Sequence, residues 1–236
     1  MALPKLETPK YQLVLPSTNE KINYRPFLVK EQKILLIAQE SGKDEDIANA
    51  VGELVNSCTF DKVKAEQSPL FDIEYVFLQI RARSVGETTE LTVTCPDDKK
   101  TTVNVKINLQ DVSVQMTANH TNEIQISDTV KMIFRYPLLN DMRGVVAQDN
   151  NQMSMVFAIL SKCIQEIHHG DKIFNRVDMT DTELNEFIDS MSTIQLEKVI
   201  EFFDTMPKLR HVVKVTNPNT NVKSEVVMEG LTNFLG

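Results

Sequence analysis

Tyr11, Leu13 and Leu15 alternate with polar neighbours, the pattern breaks at Pro16, Ser17, Thr18 and Asn19, and it resumes at Ile22 and Tyr24. A period of two interrupted by turn formers predicts an N-terminal β-hairpin. From Val29 the period lengthens, and Ile34, Leu35, Ile37 and Ala38 gather on one side of a helix ending near Ser41 and Gly42. Asp44, Glu45 and Asp46 then put negative charge at the start of a second helix, where the helix dipole favours it, with Ile47, Val51 and Leu54 as its buried stripe. A third helix follows Ser68 and Pro69. Ile73, Phe77 and Ile80 repeat at helical spacing among Tyr75, Val76 and Leu78 until Arg81 and Arg83 close it, so it reads as the central helix of the first half.

Two strands are predicted next, over 90–95 and 101–109, joined by a polar turn at 96–100; Val103, Val105, Ile107 and Leu109 share one face. A further hairpin pairs 123–126 with 130–136 around Ser127 and Asp128. Beyond Arg143 and Gly144 the pattern turns helical, which places a boundary within 138–148 and divides the chain into domains 1–140 and 141–236. One long helix is expected over 151–168, carrying Met155, Phe157, Ile159, Cys163, Ile164 and Ile167 and stopped at Gly170 by a left-handed cap. Thr180 with Glu183, and Ser192 with Gln195, are capping-box pairs that open two more helices. Strands over 212–216 and 222–228 follow, then an apolar tail with Leu231, Phe234 and Leu235.

The segment LTVTCPDDKKTTVNVKINLQ matches VKVTNPNTNVKSEVVMEGLT, aligning Cys95 and Pro96 with Asn217 and Pro218, and a helix precedes each hairpin. Either the chain holds two related modules of helices plus a zinc-ribbon-like, metal-free hairpin, or two hairpins with polar turns look alike. In both cases the fold class is α+β, helical bundles combined with antiparallel hairpins.

Composition narrows the function. Hydrophobic residues make up 42% and charged residues 25% of 236, which specifies a folded chain of one elaborated domain or two small ones. The opening MALPKLETPKYQL has no apolar run of the secretion-signal kind and no window approaches a membrane span, so the protein is expected to stay in the compartment where it is made. Cys58, Cys95 and Cys163 are odd in number and widely spaced, as for reduced thiols. Lys and Arg total 25 against 33 Asp and Glu, a net charge of −8 that argues against nucleic acid. Much of that excess lies within 178–204, where eight acids meet Lys198 alone. A solvated helix face accounts for this, and so does an acidic docking surface for a basic partner.

Candidate chemistry is sparse. Cys95 stands where a Cys-x-x-Cys zinc knuckle would begin, but Asp98 holds the second position and the matching turn offers Asn217 and Thr220, so four sulfur or imidazole ligands cannot be assembled. Cys163 and His168 diverge on the expected helix, which removes a local nucleophile and base pair. Seven glycines include no phosphate-cradling loop. No catalytic, cofactor or metal residue is therefore assigned. The contact regions expected from charge and apolar exposure are Arg81 and Arg83, which read equally as internal ion-pair partners, Glu183, Glu186, Glu197 and Glu201 on the acidic helices, and Leu231, Phe234 and Leu235 in the tail.

The opening MALPKLETPKYQLVLPST, the block YRPFLVKE from Tyr24 to Glu31, and the run FDIEYVFLQIRARSVGE from Phe71 to Glu87 resemble the baseplate hub subunit family of T4-like tailed bacteriophages, and the likeness extends through the Cys95 hairpin to the tail. The resemblance implies a non-enzymatic tail protein, made in the host bacterial cytoplasm and residing in the virion. It would be a structural or assembly component of the central hub, contacting other hub and tail proteins, with no nucleic acid, membrane, cofactor or small-molecule substrate. A second reading is a transient assembly chaperone absent from the mature virion.

Overall fold

The structure, a computed structural model, describes residues 6–142 and 152–234. Two compact units divide the chain: Met1–Gln115 with Lys208–Gly236, and Met116–Pro207. This division differs from the boundary expected near residue 140, because the last hairpin returns to the first unit.

The first unit opens with β1 (Tyr11–Val14) and β2 (Lys21–Tyr24), antiparallel with Leu13 opposite Ile22. Leu13, Leu15, Ile22 and Tyr24 are buried, as the alternation requires. Helix α1 (Val29–Ser41) ends at Gly42, whose φ of 65° is the left-handed cap. Helix α2 (Asp44–Cys58) buries Val51, Leu54 and Val55, and α3 (Leu70–Ser84) buries Ile73, Val76, Phe77, Leu78 and Ile80. Residues that point to several sides of α3 are all covered, which makes it the unit's central helix. Strands β3 (Thr88–Thr94) and β4 (Thr102–Asn108) pair as a two-stranded sheet, and β5 (Ser113–Gln115) follows.

In the second unit β6 (Glu123–Gln125) and β7 (Val130–Phe134) form the expected hairpin, followed by α4 (Leu139–Met142) and α5 (Gln152–Cys163). The long helix expected to reach residue 168 stops at Cys163. The chain continues as β8 (Ile164–His169), which pairs with β7 on one side and β9 (Lys172–Asn175) on the other. The physical reason is a β-bulge: Ile133 faces Glu166 while Phe134 faces Ile164, so one extra residue lets Ile164 and Ile167, three apart, both point inward. That spacing imitates a helix. Gly170, with φ of 59°, turns this hairpin and donates its N–H to the Thr129 carbonyl at 3.0 Å instead of ending a helix.

Helices α6 (Asp181–Asp189) and α7 (Thr193–Thr205) start at the two capping boxes. Glu183 N–H donates to the Thr180 hydroxyl at 3.2 Å and the Glu183 carboxylate accepts Thr180 N–H at 2.9 Å; Ser192 and Gln195 repeat the exchange at 3.4 and 2.8 Å. Leu184, Ile188, Val199 and Phe202 enter a core with Met132, Phe134, Leu160 and Ile164. Phe202 stacks on Phe134 at 5.1 Å and meets Phe203 edge-on at 5.0 Å.

The chain then returns to the first unit. Strand β10 (Lys208–Thr216) pairs antiparallel with β11 (Lys223–Glu229) along one edge and with β5 along the other. Among the described residues the architecture is α+β, with small antiparallel sheets and seven α-helices.

One local construction occurs in both units. Arg25 follows β2, donates its N–H to the Cys58 carbonyl at 2.9 Å, and its guanidinium bonds the Pro26 carbonyl at 3.0 Å and Glu31 at 2.8 Å. Glu31 in turn accepts Leu28 N–H at 2.7 Å. Arg135 follows β7, donates to the Cys163 carbonyl at 2.8 Å, and bonds the Tyr136 carbonyl at 3.1 Å and Asp141 at 2.6 and 3.0 Å, with Asp141 accepting Leu138 N–H at 2.8 Å. In each unit the cysteine is the last residue of a helix, and in each half of the sequence a later helix runs into a hairpin, α3 into β3 and β4, α7 into β10 and β11. The order of elements repeats beyond the two hairpins.

Candidate interaction surfaces

The hairpin tips that carry the metal question meet within the first unit. The Asn217 amide nitrogen lies 3.0 Å from both Asp97 carboxylate oxygens, and the Thr220 hydroxyl donates to Asp97 at 2.5 Å. The Asn219 amide donates to the Thr101 hydroxyl at 2.9 Å. Asp98 stays in its own turn, its side chain accepting the N–H groups of Lys100 and Thr101 at 3.0 Å, as the Asn217 side-chain Oδ1 accepts Asn219 N–H at 2.9 Å. Bonds from Asn217 and Thr220 hold the Asp97 carboxyl below its ordinary value, and bonds from Thr101 and Lys100 do the same for Asp98. The donor set is amide, hydroxyl and carboxylate, already paired tip to tip. Among the described residues no group of three or more His, Cys, Asp or Glu is placed to hold a metal ion.

The thiols are enclosed. Cys58, Cys95 and Cys163 are free and buried, and burial pushes the Cys58 thiol up to about 11 and that of Cys163 up to about 12. A thiol so protonated is a poor nucleophile. His168 lies on β8, its Nε2 2.6 Å from Glu166. A cleft of about 520 Å³ in the second unit is lined by Arg135, Lys162 and Arg176 beside Glu166. Its cations are engaged: Arg135 with Asp141, Lys162 with the Asp141 carbonyl at 3.0 Å, Arg176 with Asp181 and with the Met179 carbonyl at 2.9 Å.

The residues expected to make contacts separate into three groups. Glu186, Glu197 and Glu201 are exposed on α6 and α7, whereas Glu183, also exposed, is committed to its capping box. Arg83 stays exposed, pairing with Glu87 at 2.6 Å and lying 5.0 Å over the Tyr11 ring, and partly buried Arg81 has its pKa lowered by loss of water. The apolar exposure expected of the tail is corrected: Leu231 is 8% and Phe234 0% exposed, because a 3-10 turn at Leu231–Phe234 folds them onto α3. Leu231 N–H donates to Glu74 at 3.0 Å. Leu235 lies outside the described residues.

Two exposed apolar groups went unassigned in the sequence. Val29, Leu36 and Ile37 stand 50–68% exposed on α1, and Ile173, Phe174 and Val177 are exposed at and just after β9. The run Ile34, Leu35, Leu36, Ile37 was the available signal, since four consecutive apolar residues circle a helix and cannot all face one neighbour. No helix among the described residues is long and apolar enough to cross a membrane.

A family model described as T4 bacteriophage base plate protein matches residues 8–236. No curated protein and no solved structure matches the chain.

Proposed function

The chain belongs to the T4 bacteriophage base plate protein family, and on that premise we propose that it is a structural component of the baseplate's central hub that works by surface contact and makes or breaks no bond. The observation that carries this reading is the reach of the family match, 8–236, which spans both compact units. The whole chain, and no single grafted site, is then baseplate material. Buried thiols with raised pKa values and a basic cleft whose cations are engaged internally accord with a role in contact rather than catalysis. The exposed carboxylates of α6 and α7 supply a surface for basic neighbours among hub and tail proteins.

Quantitative mass spectrometry of purified virions tests this. A fixed stoichiometric copy number per particle is expected. Presence in assembly intermediates with absence from finished particles would instead identify a transient chaperone.

A further inference from the structure

We infer that the uncovered face of α1, with the groove between α1 and α2, seats an amphipathic helix of another protein whose apolar stripe is flanked by Lys or Arg. The inference rests on the contact role proposed above and gives that role a place and a partner chemistry.

Helix α1 has apolar residues on every side, a pattern that belongs to helices covered all round. Here its main neighbour is α2, and only Glu31 and Ala38 of its thirteen residues are buried. Val29 is 68%, Leu36 50% and Ile37 67% exposed. Single exposed apolar residues are ordinary, but several on one helix beside an open groove mark a contact site. The groove holds about 320 Å³, and Ile34, Ile37, Ala38 and Ala50 are among the residues lining it. The small alanines leave room for a bulky side chain to enter between the helices.

Two features select the occupant. Between their terminal turns the backbone groups of both helices bond within the helices, so the site offers ridges and a groove, the complement of a third helix, and no open edge for a strand. At 1.5 Å per residue α1 spans about 20 Å, room for a partner of three to four turns. The charged residues of the groove wall, Asp46 and Glu53, are both acidic, and seven positions apart they lie on one face of α2, about 10 Å from each other. Among the described residues no basic side chain lines the groove, and the exposed Lys30 and Lys33 of α1 lie outside it. Lys or Arg one to two turns apart on the incoming helix would meet these carboxylates at the rim, which orients the helix and speeds its arrival.

The test uses the full chain and two synthetic fourteen-residue helical peptides with the same Leu stripe, one flanked by Lys and the other by Glu, with binding read by fluorescence anisotropy. The Lys peptide is expected to bind about tenfold more tightly than the Glu peptide, and Ile37→Asp to weaken it by a further factor of about ten. Ile194→Asp, at a comparably exposed residue of α7, should leave binding unchanged, and circular dichroism should show both variants folded. Equal binding of the two peptides, or equal effects of Ile37→Asp and Ile194→Asp, overturns the inference. In phage lacking the gene and supplied with the chain in trans, Ile37→Asp should lower the copy number in particles; normal incorporation of that variant beside stoichiometric wild type defeats the groove and spares the structural reading. Absence of wild type from particles defeats the structural reading, and the peptide comparison then decides the groove by itself.

Discussion

Arg25 and Arg135 occupy equivalent places, each tying the acid at the start of the following helix to the cysteine carbonyl that ends a later one. Burial alone would raise the Glu31 carboxyl, but bonds from Arg25 and Leu28 N–H, the Arg25 charge and a bond from Ser57 outweigh it and bring it to about 2. The Glu31 side chain is 4% exposed, so Arg25→Ala would leave a buried charge with only Lys30 at 3.3 Å, Ser57 and Leu28 N–H against it and should cost about 3 kcal/mol in urea unfolding. Arg135 is more open, at 28%, and Arg135→Ala should cost less, about 2 kcal/mol. Because the folded value for Glu31 lies below the unfolded one, its contribution is full above the ordinary value of 4.5 and fades as pH falls toward about 2. An Arg25→Ala variant as stable as wild type at neutral pH would show that the pair does not hold this unit together.

Glu74 has the opposite sign. Burial, aided by the Glu229 charge and opposed by Leu231 N–H, lifts its carboxyl from 4.5 to about 7. The folded chain therefore binds this proton more tightly than the unfolded one, and the stabilisation is full below the unfolded value and lost as pH rises through about 7. Glu74→Gln keeps an oxygen for Leu231 N–H and carries no charge. Between about pH 5 and pH 8 the wild type should lose on the order of 2–3 kcal/mol relative to the variant, read as diverging urea midpoints. Parallel midpoints across that range would show that Glu74 ionises freely.

The tail belongs to the fold. Phe234 is fully buried, and the turn that carries it packs on α3, so Phe234→Ala should cost about 3–5 kcal/mol, and removal of residues 231–236 at least as much. Any loss of assembly in such variants should then track loss of folded protein in a thermal melt. A tail-deleted chain that melts like wild type yet fails to assemble would restore the tail as a contact element.

The elements easiest to foresee were those whose signal is local. The capping boxes at Thr180 and Ser192 fix helix starts because cap and helix lie within four residues. The turn chemistry around Asn19 and the alternation through Ile22 fix the first hairpin. What escaped the sequence depends on distant partners. Gln165 is the odd residue of a bulge defined only against β7, so β8 imitates a helix. Ser113–Gln115 is a strand only because β10 lies beside it. The hairpin likeness between Cys95 and Asn217 was legible, but the bonds from Asn217 and Thr220 to Asp97 that join the tips were not. Among the contact candidates, exposure of Glu186, Glu197 and Glu201 follows from helical phase alone, while burial of Leu231 and Phe234 required knowing that α3 lay within reach.

The acidic face separates solvation from docking by the salt dependence of association. Glu186, Glu197 and Glu201 are exposed and close no capping box, so replacing all three with Gln should leave unfolding within about 0.5 kcal/mol of wild type. Glu183 must be left intact, since it closes the α6 cap and its loss would destabilise the helix start for reasons unrelated to partners. If the carboxylates steer a basic neighbour, the triple variant should join purified baseplate intermediates more slowly at low salt, and the gap should shrink as added salt screens the wild type. Stopped-flow association at about 0.02 and 0.3 M salt reads both effects, with Debye lengths near 20 Å and 6 Å. Identical rates and identical salt slopes for the two proteins would mean that these helices only carry charge into water, and the docking role would pass to other surfaces of the chain.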